Sequence, residues 1–369
     1  MRLNWVEVRD FRNHAEVSLE LERGLTALVG PNGRGKTNLL EAAHYLCTLS
    51  SPRVSTDLPL VRQGATSAFL RGEAEALGAK LLIEVEVRSS GQNRVQVNRS
   101  LVRRKRDLRK QIRSVFSGPD DLRVVHGDPD ERRRFMDEAV RTLWPLREDT
   151  ASKYERALRQ RNRLLKDWEG GGTPSGLEAW DLELVEHGVA LTQVRGQAVE
   201  RIREQTADEF RTLSGQGGDA LVVTYLPSVG SSGLVLGEDP PGLADAFRAR
   251  LAERRSDELL RRTTLVGPHR DDLGLHVQGL AARGFASHGE AWGAMIALRL
   301  ALARAVEREL GEPPVVLLDD PFSGLDPDRR RRLAKALDGR GQLLIAVPDE
   351  DHVPEGAQVF RVREGAVDG

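Results

Sequence analysis

The sequence has little that would place it in a membrane or outside the cell. It carries one cysteine, Cys47, so no disulfide can close within the chain, which fits a reducing, cytoplasmic setting. No apolar run approaches the ~18–20 residues of a membrane span. The first residues, Met1-Arg2-Leu3-Asn4-Trp5-Val6, begin directly on a strand pattern, with no apolar stretch of a signal peptide. Neither sign of charge is in excess: the net charge is −1, so no global basic signal for nucleic acid exists. Lysine is scarce, 7 against 48 arginines, a bias that genomic base composition alone can produce. No internal repeat is visible. What remains is a chain of 369 residues, 39% apolar, able to bury a sizeable core divided into two lobes.

The most informative stretch is Gly30-Pro31-Asn32-Gly33-Arg34-Gly35-Lys36-Thr37, a complete G-x-x-x-x-G-K-[ST] loop. It lies between an apolar run, Leu25 to Val29, that reads as a buried strand, and Asn38 to Leu46, whose spacing suits a helix. A Gly-rich turn can be merely a tight connection. Lys36 and Thr37 together give it chemistry: glycines let backbone N–H groups surround a phosphate at the helix N-terminus. Lys36 reaches the β- and γ-phosphates of ATP, and the Thr37 hydroxyl ligates Mg²⁺.

Far downstream, Pro314-Val315-Val316-Leu317-Leu318 ends in Asp319-Asp320, as expected of a buried parallel strand delivering carboxylates to a sheet edge. Asp319 is assigned to Mg²⁺ and Asp320 to orienting or deprotonating an attacking water. Between the two motifs, Ser287 with Glu290 three residues on forms a capping box heading the apolar segment Ala291 to Leu310. Ser287 is needed as a cap in any case. The same capped terminus also presents N–H groups and partial positive charge to an anion. Further on, in Ser323-Gly324-Leu325-Asp326-Pro327, Asp326 caps the next helix.

In this order, phosphate loop, S-x-G-E helix start, LLDD and SGLD resemble the ABC-type ATPases of the chromosome-maintenance branch. Within it the chain resembles the RecF family of recombination mediators, over roughly residues 1 to 347. The specific segments are Phe11-Arg12-Asn13-His14, Lys36 to Ala42, Gly127 to Asp137 (GDPDERRRFMD) and Thr264 to Asp272 (TLVGPHRDD). The resemblance implies an α/β ABC-type head, with mixed sheets around the phosphate-loop helix and an inserted, mainly helical lobe. It implies a nucleotide set of Arg12, Asn13, Gly30, Pro31, Asn32, Gly33, Arg34, Gly35, Lys36, Thr37, Asn38, Ser287, Gly289 and Asp326, with Lys36 and Asp320 catalytic. It also implies an ATP-driven homodimer, because a head's signature helix faces away from its own nucleotide in this class. Such a dimer binds gapped or junction DNA and, with RecO and RecR, promotes RecA loading. Departures exist: Ser287-His288-Gly289-Glu290-Ala291-Trp292 replaces the usual S-x-G-Q with its following Q-R, Pro348-Asp349 follows Leu343 to Val347 where transporters carry a switch histidine, and no Q-loop glutamine stands near Ser117 to Val125. The alternatives are a transporter ATP-binding subunit, which usually carries those two residues, and a short-armed chromosome-maintenance head.

Basic runs are local. Arg99 to Arg113 holds eight cations and one acid, with no interleaved aromatic, and is as consistent with a solvated face as with phosphate contact. The DNA candidates in it are Arg103, Arg104, Lys105, Arg106, Arg109 and Lys110. Arg132-Arg133-Arg134 lies in the first turns of a helix and suits internal ion pairs at least as well as DNA. Arg329 to Arg332 reads as a solvated face.

Residues 1–30 and 68–99 read as strands, with alternation over Leu82 to Val87 and a turn near Gly91 to Asn93. Residues 120–215 read as helical. Ala151, Tyr154, Leu158, Leu165 and Trp168 keep 3/4 spacing, with Arg161 in one apolar slot, and Leu177 to Ala198 repeats the pattern after a turn at Glu169 to Gly176. This predicts an ATPase lobe of residues 1–118 and 263–369, and a helical lobe of 119–262 with an antiparallel hairpin over about 147–213. Ser214 to Gly218 and Ser228 to Gly242 read as loops around a strand at Ala220 to Tyr225.

Overall fold

The computed structural model describes residues 1–215, 220–230, 242–364 and 366–368. Most of the two loops predicted at Ser214 to Gly218 and Ser228 to Gly242 lies outside them. The described residues of 1–122, 208–219 and 287–369 form one unit, and those of 123–207 and 220–286 form a second.

Period-two alternation builds the first sheet, broken in its first strand by a register shift between Leu3 and Trp5 and by the left-handed Asp10. β1 (Arg2–Phe11) turns Leu3, Val6, Val8 and Phe11 inward, and β2 (His14–Glu20) pairs with it antiparallel. β3 (Leu25–Val29), almost wholly buried, leads through the glycine loop into α1 (Lys36–Thr48). β4 (Ser67–Ala76), β5 (Ala79–Arg88), β6 (Arg94–Val97) and β7 (Ser100–Leu101) complete an antiparallel sheet of order β2-β1-β4-β5-β6-β7. Its inner face shares a core with Leu39, Leu40, Tyr45, Leu46 and Cys47 of α1. The short α2 (Lys105–Arg109) and β8 (Ser114–Ser117) follow.

The second unit contains α3 (Arg123–His126), α4 (Pro129–Leu143), α5 (Asp149–Asp167) and most of α6 (Leu177–Ser214). It continues with β9 (Leu221–Leu226), α7 (Leu243–Arg261), β10 (Asp272–Val277), β11 (Leu280–Ala281) and α8 (Ala282–Phe285). Arg161 meets Asp181, and Tyr154 lies beside Gly188, so α5 and α6 run antiparallel as the arms of a hairpin. Arg161 is fully buried in the apolar stripe because three partners satisfy it: Asp181 at 2.8 Å, Thr264 Oγ1 at 2.7 Å and Glu258 at 2.5 Å. Arg195 donates to both carboxylate oxygens of Asp137 and to Pro268 O, while Asp271 accepts from Tyr225 and the Ser228 amide. Arg132 forks onto Asp272 at 2.6 and 2.9 Å. The GDPDERRRFMD and TLVGPHRDD segments are thus polar framework of this unit.

Residues 263–286, expected in the ATPase lobe, group with the second unit because β10 pairs with β9 from Asp272↔Leu226 to Val277↔Leu221. The end of α6, expected in the helical lobe, groups with the first, where both Arg304 and Arg340 bond Glu209.

The chain then returns to the first unit. α9 (His288–Leu310), buried along most of its length, ends at Gly311 in the left-handed conformation. β12 (Val315–Asp319), α10 (Pro327–Leu337), β13 (Leu343–Val347), β14 (Gln358–Arg363) and β15 (Ala366–Asp368) follow. They form a second sheet of order β15-β14-β3-β13-β12-β8, parallel except at β14–β15. β3 and β12 therefore lie one strand apart, and their carboxyl ends open on the same edge, where ligands of parallel sheets bind. No helix among the described residues is long and apolar enough to cross a membrane.

Candidate nucleotide site

The loop from Gly30 to Gly35 joins β3 to α1, whose first residues are Lys36 and Thr37. Gly30 is fixed by close approach, since a Cβ there would collide with the carbonyl of Val362. Gly35 has φ 105° and caps the helix. Pro31, Asn32 and Gly33 are exposed at the tip, and Arg34 reaches Glu364 at 2.5 Å. Lys36 folds over the loop, donating to Gly30 O and, at 3.0 Å, to Pro31 O. Burial lowers its pKa, and the charges of Asp319 and Asp320 act the other way.

The Thr37 hydroxyl sits 2.9 and 2.8 Å from the two carboxylate oxygens of Asp319. Burial raises the Asp319 pKa, opposed first by the Thr37 hydrogen bond, so this carboxylate is short of positive charge. One hydroxyl and one carboxylate at a phosphate loop fit Mg²⁺, which takes few protein oxygens and completes its shell with phosphate and water. Among the described residues no group of three or more His, Cys, Asp or Glu side chains is placed to hold a metal ion.

Asp320 adopts φ 50°, a left-handed conformation that Asp tolerates better than most residues. Its N–H bonds Ala346 O at 2.9 Å, tying the turn to β13. Burial raises its pKa; the Ser323 hydrogen bond and the charges of His352, Lys36 and Arg330 oppose the rise. A half-buried carboxyl held above the usual aspartate range is suited to accepting a proton. His352 thus stands near Asp320, with Nδ1 on Asp349 at 2.5 Å and Nε2 accepting from Arg330 at 2.9 Å. Where a Q-loop would run, Gly118 abuts the Asp319 side chain, and Asp121 is forked by Arg299.

Asn38 donates to Asn13 Oδ1 at 2.7 Å, and Asn13 donates to Arg34 O at 3.3 Å, so both brace the loop. Arg12, expected in the nucleotide set, is engaged within the protein. Its guanidinium forks onto the buried carboxylate of Glu41 at 2.8 and 2.7 Å and also bonds Pro59 O. A residue missed in the sequence joins this group: Arg53 bonds Asn38 Oδ1 at 2.8 Å, and its charge favours ionised Asp319. A lone arginine in a loop carries no periodic or spacing signal.

Ser287, Gly289 and Asp326 form a second cluster. The capping box closes reciprocally, Glu290 N–H to Ser287 Oγ at 3.3 Å and Ser287 N–H to the Glu290 carboxylate at 2.7 Å. Gly289 lies against the Arg329 guanidinium, and Asp326 accepts the Arg329 amide at 2.9 Å. Trp292 Nε1 donates to Pro321 O at 3.0 Å, linking α9 to the turn that carries Asp319 and Asp320. Arg329 to Arg332 is therefore a solvated face only in part: Arg331 is exposed beside Asp328, whereas Arg330 also holds Leu325 O and Arg332 holds Leu213 O.

The basic stretch divides. Arg103, Arg104, Lys105 and Lys110 are exposed and Arg106 is half-buried. Arg109 turns inward, bonding Thr48 O at 2.9 Å and the Ser50 hydroxyl, which removes it from the DNA set. Arg113 is buried too, its pKa lowered by burial to about 10.

The family model described as RecF/RecN/SMC N terminal domain matches residues 2–367. The DNA replication and repair proteins RecF of Cutibacterium acnes and Streptomyces avermitilis are each 40% identical to the chain. The first alignment covers 96% of this chain and 94% of the relative, the second 100% of both. A solved structure of the recombination mediator protein RecF-ATP in the RecFOR pathway superposes with a TM-score of 0.88 at 29% identity, covering 99% of this chain and 96% of that one. The RecF-ATPrS structure gives 0.89 at 28% identity, over 100% and 97%. An Smc head domain from Pyrococcus furiosus, 16% identical, shares the fold at a TM-score of 0.56. The chain belongs to the RecF family.

Proposed function

We propose that this chain is an ATP-binding, ATP-hydrolysing DNA repair protein that closes as a homodimer on DNA. The reading is carried by one observation: the Thr37 hydroxyl meets the Asp319 carboxylate beside Lys36 and Asp320, at the end of a phosphate loop. Lys36 binds the β- and γ-phosphates as a point charge. Mg²⁺ would be held by Thr37 and Asp319 and would neutralise charge on the same phosphates. Asp320 orients and deprotonates the attacking water.

The exposed terminus of α9 supports closure by a second copy. Ser287 and Gly289 would meet the γ-phosphate bound by the partner, so ATP and ADP set different dimer populations. Arg103, Arg104, Lys105, Arg106 and Lys110 supply phosphate contacts to gapped or junction DNA. Family membership supports action with RecO and RecR in loading RecA. Sedimentation with and without ATP, with and without DNA, tests this reading. It expects a dimer with ATP that retains DNA; a monomer under all four conditions would overturn it.

A further inference from the structure

Two side chains of the turn after β1 grip the phosphate loop by its carbonyls. Asn13 Nδ2 donates to Arg34 O at 3.3 Å, and His14 Nε2 lies 3.0 Å from Gly35 O. In a trans peptide the carbonyl and the following N–H point in opposite directions. Holding these two carbonyls therefore turns the N–H groups of Gly35 and Lys36 away from His14. Those N–H groups are the donors that a phosphate loop offers to its anion.

The chemistry of the ring supports a specific task. His14 is fully buried. Gly35 O can only accept, so Nε2 carries the proton and Nδ1 is left with a lone pair. That Nδ1 is buried with no hydrogen-bond partner among the described residues. Buried unpaired nitrogen is costly, and a residue needed merely to fill space would not carry one. Burial also lowers the ring's pKa, which keeps it neutral. Gly35 O accepts the Leu39 amide as well, at 3.1 Å, so both lone pairs are engaged and the peptide cannot rotate. The glycine is matched to the ring, since a Cβ at position 35 would collide with His14 Nε2 and lie 2.7 Å from both Asn13 amide atoms.

We propose that His14 is a positioning residue for nucleotide binding: by donating from Nε2 to Gly35 O, it aims the Lys36 N–H at the phosphates. This rests on the nucleotide-binding reading above. The test compares wild type, His14→Phe and His14→Gln, full length, for binding of ATP, ADP and adenosine by calorimetry, alongside thermal melting and ¹⁵N NMR of the nucleotide-free protein. Phe keeps the ring volume without the donor, and Gln keeps a donor. His14→Phe should weaken ATP and ADP about 10-fold, the loss of one aimed hydrogen bond, with adenosine binding and melting unchanged. His14→Gln should recover ATP affinity to within about 3-fold. NMR should show neutral His14 protonated on Nε2. Undiminished ATP binding by His14→Phe, failure of Gln to rescue, or a proton on Nδ1 would each overturn the proposal. A wild type that binds no ATP would instead overturn the nucleotide reading, and the NMR result would still decide the His14–Gly35 bond.

Discussion

Thr37 and Asp319 stand 282 residues apart in the chain, yet the Thr37 hydroxyl lies within 2.9 Å of both Asp319 oxygens. The contact joins the two halves of the first unit at the point where phosphate chemistry is expected, and the first prediction concerns its neighbours.

Lys36→Ala should abolish measurable ATP binding, because the β/γ-phosphate charge loses its point-charge partner. Asp320→Asn should bind ATP normally and lose turnover by ~10²–10⁴, since an amide is no base. Burial raises the Asp320 pKa, so the wild-type rate should fall on acidification at a pH above the ordinary aspartate range, as the base becomes protonated. Phosphate release against pH checks this, and normal turnover by the Asp320 variant would remove its assignment.

Replacing Arg103, Arg104 and Arg106 by Glu should weaken DNA binding and flatten its salt dependence, the slope changing by roughly one unit per lost phosphate contact. ATP affinity should be unaffected. Arg109→Ala should behave differently, because Arg109 holds the end of α1: it should lower the melting temperature and leave the DNA salt slope in place. Fluorescence anisotropy at several salt concentrations distinguishes the two.

His269 gives the second unit an acid limit. Its Nε2 bonds Thr264 O at 3.1 Å, and its Nδ1 accepts the Tyr154 hydroxyl at 2.6 Å. Burial lowers its pKa from 6.5 to about 4. The unfolded chain therefore binds the proton more readily, so this contribution is whole above pH 6.5 and is lost as pH falls towards about 4. At roughly 1.4 kcal/mol per unit the loss is at most about 3.5 kcal/mol. Denaturant midpoints of wild type and His269→Gln should converge on acidification; parallel curves would refute the assignment.

Ser287→Arg should leave monomeric ATP binding near normal and block dimerisation, hydrolysis and DNA retention together. Ser287→Ala removes the cap alone and should cost about 1 kcal/mol of stability. Ultracentrifugation with ATP decides between the roles: a Ser287→Arg protein that still dimerises would make Ser287 an ordinary cap.

The capping box at Ser287 and the β12 run could be read from the sequence because both are local, one a three-residue spacing and the other an unbroken apolar stretch. Arg161 was visible only as a charge in an apolar slot, since Glu258 and Thr264 reach it from distant segments. Charge runs misled at Arg109, Arg330 and Arg332, because composition does not say which face of a short helix is covered. Arg53 and His14 act through loop contacts and leave no periodic trace. The boundary near residue 263 moved because β10 belongs with β9, a pairing made between strands that α7 separates in the chain.

The strand that carries the phosphate loop has late neighbours. β3 ends at Val29, but the strands bonded to it are β13, beginning at Leu343, and β14, ending at Arg363. A nascent chain must therefore extrude the whole second unit before β3 has any ladder to join. Backbone groups of β3 wait through that interval, exposed to chaperones and to pairing with other chains. A ribosome that stalls before residue 343 releases a product with an intact phosphate-loop sequence and no sheet to present it. Competence to bind nucleotide is thus a property that synthesis confers only once β13 and β14 have emerged to flank β3.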